Sequence, residues 1–135
     1  MINNIRVSAV LPVAAQSDLL TGERLYQENC ASCHGANLEG QPDWRSRVPN
    51  GRLRAPPHDV SGHTWHHTDR VLVDIVKRRT AAIVGDGYES DMPGFGELLT
   101  DDEIVAIIDY IKGTWPDRNR SSQESHTLVD EQEPS

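Results

Sequence analysis

Cys30-Ala31-Ser32-Cys33-His34 is the stretch whose reading decides the fold, and it holds both cysteines of the chain. Three chemistries use a Cys-x-x-Cys pair. A structural zinc site needs four ligands, from a second such pair or from spaced histidines. No second pair exists, so zinc would have to borrow ligands from the histidines between 58 and 67. A thioredoxin-like redox pair sits between a strand and a helix of an α/β pattern. Here the pair follows a helical segment, and no run of β-branched residues surrounds it. The third chemistry is covalent haem attachment, for which Cys-x-x-Cys-His is the signature. Each thiol adds to one vinyl at the porphyrin edge, the two-residue gap matches the vinyl separation, and the next residue points its imidazole under the iron. Five residues alone are only moderately specific, so the context has to come from the rest of the chain.

Upstream, residues 18–29 read as a short helix running into this motif. Ser17 or Asp18 is the expected cap, and Leu19, Gly22 and Tyr26 fall on one face. Glycine costs a helix about 1 kcal/mol against Ala, so Gly22 on the apolar stripe predicts that another helix crosses closely there. Residues 35–62 are rich in Gly, Pro, Asn, Arg and Asp and read as a long loop. Such a loop is unusual in a compact domain unless it wraps something, and a haem edge would account for it. A second helix is expected over Thr68–Arg79. Thr68 is its N-cap, Val71, Leu72, Ile75 and Val76 form its apolar stripe, and Lys77, Arg78 and Arg79 suit its C-terminal dipole. The clearest helix starts at Thr100-Asp101-Asp102-Glu103, which is a capping box. Ile104, Ile107, Ile108 and Ile111 follow at i, i+3, i+4 and i+7, and Gly113 and Pro116 close it.

Between those helices lies Tyr88-Glu89-Ser90-Asp91-Met92-Pro93-Gly94-Phe95-Gly96. A methionine in so polar a loop is unusual, because Met normally fills gaps in a core. Its thioether can take the sixth position of a haem iron, where a soft neutral sulfur raises the potential relative to a second imidazole. The alternative is a loop Met packed on the following helix.

The chain totals set the outer bounds. With 135 residues there is room for one domain, and with 36% hydrophobic and 5% aromatic residues its protein-only core is thin. The net charge is −8, of which residues 117–135 carry −3. No basic patch with interleaved aromatics exists, which leaves nucleic-acid binding without footing. An acidic surface favours encounter with a basic redox partner, at a rate that falls with salt. No run approaches the length of a membrane span. Residues 1–17, with the apolar run Val7–Ala15 after Arg6, are read as a short or truncated signal or N-terminal extension. Residues 117–135 are read as an acidic disordered tail, leaving a domain over 18–116.

Taken together, the helix into Cys-x-x-Cys-His, the Met92-Pro93 loop 58 residues after His34, and the terminal Tyr110-Ile111-Lys112-Gly113-Thr114-Trp115-Pro116 resemble the class I, single-haem cytochromes c. The resemblance spans about residues 18–116 and implies an all-α fold of three to five helices with long loops around one covalent haem c. It implies thioether bonds at Cys30 and Cys33, His34 as the proximal ligand and Met92 as the distal one. It also implies that Gly22 and Tyr26 pack near Tyr110, and that a proline carbonyl after the haem motif accepts a hydrogen bond from the proximal imidazole. Pro56 and Pro57 both qualify. The stretch Trp44–Arg54 is longer than in compact members of the family.

Several further residues invite a role. Trp65 is a candidate indole donor to a haem propionate, and Arg54 or Arg52 a candidate ion pair with one. Tyr88 is a candidate hydrogen-bond partner near the Met92 loop. His58, His63, His66 and His67 leave three readings open: a replacement sixth ligand, a secondary copper site, or a solvated turn with one or two imidazoles near the propionates. The function implied is a non-enzymatic electron carrier, monomeric and extracytoplasmic, expected in a bacterial periplasm. Its partners would be a dehydrogenase, an oxidase or another cytochrome. The alternatives are a haem sensor or peroxidase-like protein with an open sixth site, or copper handling through the histidines.

Overall fold

Alanines and long side chains favour helix through Val13-Ala14-Ala15-Gln16, and nothing breaks the pattern before the haem motif. Helix α1 accordingly runs Val13–Asn29. Ser17 and Asp18 therefore lie inside the helix and do not cap it, which corrects that expectation. The structure, a computed structural model of the chain, describes residues 13–46, 49, 51–52, 54–78 and 92–132. The first twelve residues of the expected leader, and Tyr88, lie outside the described residues.

Four helices follow α1: α2 (Ala31–His34), α3 (Asp69–Arg78), α4 (Asp101–Gly113) and α5 (Asp117–Gln132), with a 3-10 turn at Thr64–His66 between α2 and α3. Among the described residues there is no strand, and the fold is all-α. The capping box on α4 is formed in full: Glu103 donates its N–H to Thr100 Oγ1 at 3.1 Å, and Thr100 N–H donates to Glu103 Oε1 at 2.9 Å.

The core is the crossing of α1 and α4. Leu25, Tyr26, Ile104, Ile107, Ile108 and Ile111 are buried there, with Leu38, Leu72, Leu99 and Trp115 closing its edges. Gly22 sits at the closest approach. A Cβ on it would lie 2.1 Å from the Ala106 carbonyl oxygen, so only glycine permits this contact. The Tyr26 and Tyr110 rings meet one turn further on, with centroids 5.6 Å apart.

The loop after α2 folds back on itself. Gln41 N–H donates to the Ala55 carbonyl at 2.9 Å, and His58 N–H donates to the Leu38 carbonyl at 2.9 Å. Gly40, at φ +75, makes this possible, because a Cβ there would meet the Pro57 nitrogen at 2.5 Å.

Residues 117–132 correct the expectation of a disordered tail. They form α5, which packs against the 3-10 turn and the start of α3. Its buried residues are Asn119, Gln123 and Thr127, spaced by four, so one stripe of the helix faces inward. Gln123 donates through Nε2 to Asp69 Oδ1 at 2.7 Å and to the His67 carbonyl at 3.1 Å. Asp69 N–H donates to Thr127 Oγ1, and Arg70 pairs with both oxygens of Asp130 at 3.0 Å. A helix seated by polar groups leaves no apolar period in the sequence, which is why it reads as disorder.

Candidate functional site

The chain leaves α1 through a single bent turn. Cys30 N–H still donates to the Tyr26 carbonyl at 2.8 Å, while His34 N–H donates to the Cys30 carbonyl at 2.9 Å. Cys30 thus ends one helix and starts the next, and the five motif residues form one compact turn. Tyr26, fully buried, clamps it by donating from its hydroxyl to the Gly35 carbonyl at 2.8 Å.

Cys30 and Cys33 are not joined in a disulfide. Cys33 is exposed and Cys30 half-buried. Burial, with the neighbouring Cys33 sulfur adding to it, pushes the Cys30 thiol up to about 11. His34 is buried. Its Nδ1 lies 2.8 Å from the Pro56 carbonyl oxygen, which can only accept, so Nδ1 carries the proton. Burial holds the ring below the ordinary histidine value, partly opposed by that same bond, so the imidazole is neutral with its lone pair on Nε2. Of the two prolines, the bond falls on Pro56. Pro57 is buried against the loop, and its carbonyl is within 3.5 Å of the Thr64 hydroxyl, which donates to it.

Met92 is half-buried and opens the segment that leads into α4. That segment is fixed to the end of α3. Phe95 N–H donates to the Val76 carbonyl at 2.8 Å and Gly96 N–H to the Lys77 carbonyl at 3.0 Å, satisfying two carbonyls that the helix end leaves open. Gly94 passes so close that a Cβ would stand 2.9 Å from the Lys77 carbonyl oxygen.

The remaining candidates separate. Arg54 Nε is buried without a hydrogen-bond partner among the described residues. Trp65 Nε1 donates to the Val60 carbonyl at 3.2 Å, where the 3-10 turn folds the indole back on its own loop. His63 and His66 sit among aromatic rings, His66 on Trp65 at 4.0 Å and His63 edge-on to Trp44 at 5.9 Å. Among the described residues no group of three or more His, Cys, Asp or Glu could hold a metal ion. His58 stacks on His34, with ring centroids 4.0 Å apart. Trp115, to which the sequence reading assigned no role, donates from Nε1 to the His58 carbonyl at 2.8 Å. Its position at the α4 terminus is visible in the sequence, but the partner across 57 residues is not.

The donors fit a covalently held haem. Two thiols flank one turn, a neutral buried imidazole follows the second of them, and the orphaned Arg54 Nε is a buried cation group that an anionic propionate would satisfy. Fold and site together define a small helical haem-attachment domain. The sequence profile of the family described as "Cytochrome C oxidase, cbb3-type, subunit III" matches residues 17–111, and the chain belongs to that cytochrome c family. Its haem is therefore haem c, and the class is that of haem electron carriers and cytochrome subunits.

Three relatives illustrate the range. Cytochrome c-555 of Prosthecochloris aestuarii is 39% identical over 54 residues, covering 36% of this chain and 54% of that protein. The fructose dehydrogenase cytochrome subunit of Gluconobacter japonicus is 32% identical over 100 residues, covering 67% of this chain and 18% of the relative. The gluconate 2-dehydrogenase cytochrome c subunit of Pantoea cypripedii is 24% identical over 101 residues, 73% of this chain and 21% of the relative. The chain thus spans about half the length of the first and about a fifth of the other two. No solved structure matches the chain significantly.

Proposed function

We propose that the chain is a one-electron carrier with His34 and Met92 as axial ligands, and that it is not itself an enzyme. Haem c bound at Cys30 and Cys33 supplies an Fe(III)/Fe(II) couple. The observation that carries the reading is the 2.8 Å bond from His34 Nδ1 to Pro56, which leaves Nε2 as the only lone pair of a neutral, buried imidazole. Such a bond fixes the ring and makes it a stronger donor.

Met92 would supply the second protein ligand to the iron, from a segment whose far end is tied to α3 by Phe95 and Gly96. With both axial positions held by the chain, no site remains for a substrate, and a rigid ligand set keeps the reorganisation on electron transfer small. Arg54 balances a propionate. Cys30 and Cys33 are the only cysteines, so the chain carries one haem.

The partner is a redox protein, a dehydrogenase, an oxidase or another cytochrome, that presents a basic docking face to a chain of net charge −8. The chain works as a monomer on the outer side of a bacterial cytoplasmic membrane. Among the described residues no helix is long and apolar enough to cross a membrane.

The test uses protein matured with haem. Its intact mass should exceed that of the polypeptide by one haem, and Met92→Ala should bind carbon monoxide where the parent does not. A Met92→Ala protein whose spectrum and carbon monoxide response match the parent would remove Met92 from the ligand set.

A further inference from the structure

His34 and His58 stack with planes 34° apart, yet only His34 has a place in the chemistry above. His58 is fastened from three directions. Its Nδ1 is 2.7 Å from Thr64 Oγ1, its carbonyl accepts from Trp115 Nε1 at 2.8 Å, and its N–H donates to the Leu38 carbonyl at 2.9 Å. Thr64, Trp115 and Leu38 are all buried, and they come from the 3-10 turn, the end of α4 and the loop after α2. The His34 ring, by contrast, has one hydrogen bond among the described residues, at Nδ1. The ring is joined to the chain at Cγ, so that one bond opposes rotation about Cβ–Cγ at a single edge and leaves a residual rocking of the ring plane. A second planar group against its face removes that freedom.

We propose that His58 is a positioning residue for the iron ligand: its imidazole face locks the plane of the His34 ring and so preserves the His34–Pro56 bond. This rests on the reading of His34 as a ligand. The ring supplies the flat surface, and the Thr64 tether sets its angle. A leucine would fill similar space with neither. Holding the bond to Pro56 keeps His34 electron-rich, which favours ferric iron. Loosening it should therefore raise the reduction potential.

Holoprotein carrying His58→Leu, His58→Phe or Thr64→Val separates the parts. Three readouts apply: exchange of the His34 Nδ1 proton in the reduced state, the haem-methyl shift pattern in the oxidised state, and the midpoint potential. His58→Leu should speed proton exchange at least tenfold, reorder the methyl pattern and raise the potential. His58→Phe keeps the flat face but, like Thr64→Val, loses the tether, and both should fall between the parent and His58→Leu in all three.

A His58→Leu protein that keeps its haem and leaves all three readouts unchanged overturns the proposal, as does His58→Phe behaving like His58→Leu. If His58→Leu does not fold, an unchanged Thr64→Val overturns it instead. A parent protein without an imidazole on its iron contradicts the ligation reading first, and this inference with it.

Discussion

The α1–α4 crossing and the seat of α5 bury helix faces by opposite means. At the crossing Tyr26, Ile104 and Ile107 are at most 1% exposed, and a backbone carbonyl presses on Gly22. At α5 the inward residues are Asn119, Gln123 and Thr127, and the last two meet Asp69, His67 and each other. Apolar burial is non-directional and contributes about 25 cal/mol per Å². Polar burial exchanges water contacts for protein contacts, with a net of about 1 kcal/mol per bond, but it fixes direction. The crossing therefore carries stability, while α5 carries geometry: it holds the 3-10 turn against which His58 is tethered.

The largest effect should come from breaking the crossing. Gly22→Val should cost about 4 kcal/mol by denaturant unfolding of the holoprotein, because the Ala106 carbonyl belongs to a helix backbone and cannot step aside. Ile107→Ala, which empties space without forcing the helices apart, should cost about 3 kcal/mol.

On the other side, Gln123→Ala should cost about 1–2 kcal/mol by the same measurement. Gln123→Met should cost less than Gln123→Ala, since Oε1 is buried without a partner among the described residues and a thioether fills the volume without that penalty. Equal losses for the two would show that volume plays no part there.

The smallest effect is at the rim. The Arg70 hydrogen bond holds the Asp130 carboxyl below the ordinary carboxylate value. Its contribution is thus present at neutral pH and lost as the pH falls through that lowered value. Asp130→Asn should differ from the parent, slightly, only above that range and in low salt. A difference that persists in acid would assign the effect to something other than the charge.

The same contrast explains what the sequence discloses. Isoleucines spaced three and four apart, with a capping box ahead of them, announce α4. A glycine on an apolar stripe announces the crossing, because both signals are local. The haem motif is likewise five consecutive residues. The seat of α5 is invisible to an apolar-period search because its buried stripe is Asn, Gln and Thr. The stacking of His58 on His34 and the bond from Trp115 join residues 24 and 57 positions apart through loops, where no period exists. The indole bond of Trp65 to the Val60 carbonyl is likewise set by the fold of a turn.

The central claim is a closed, six-coordinate haem carried by His34 and Met92. The most direct measurement is the absorption spectrum of the matured protein, oxidised and reduced, followed by carbon monoxide. A low-spin c-type reduced spectrum, the weak band of methionine sulfur on ferric haem, and no change with carbon monoxide are predicted. A high-spin spectrum that shifts with carbon monoxide would contradict the account and point to an open-site sensor or enzyme.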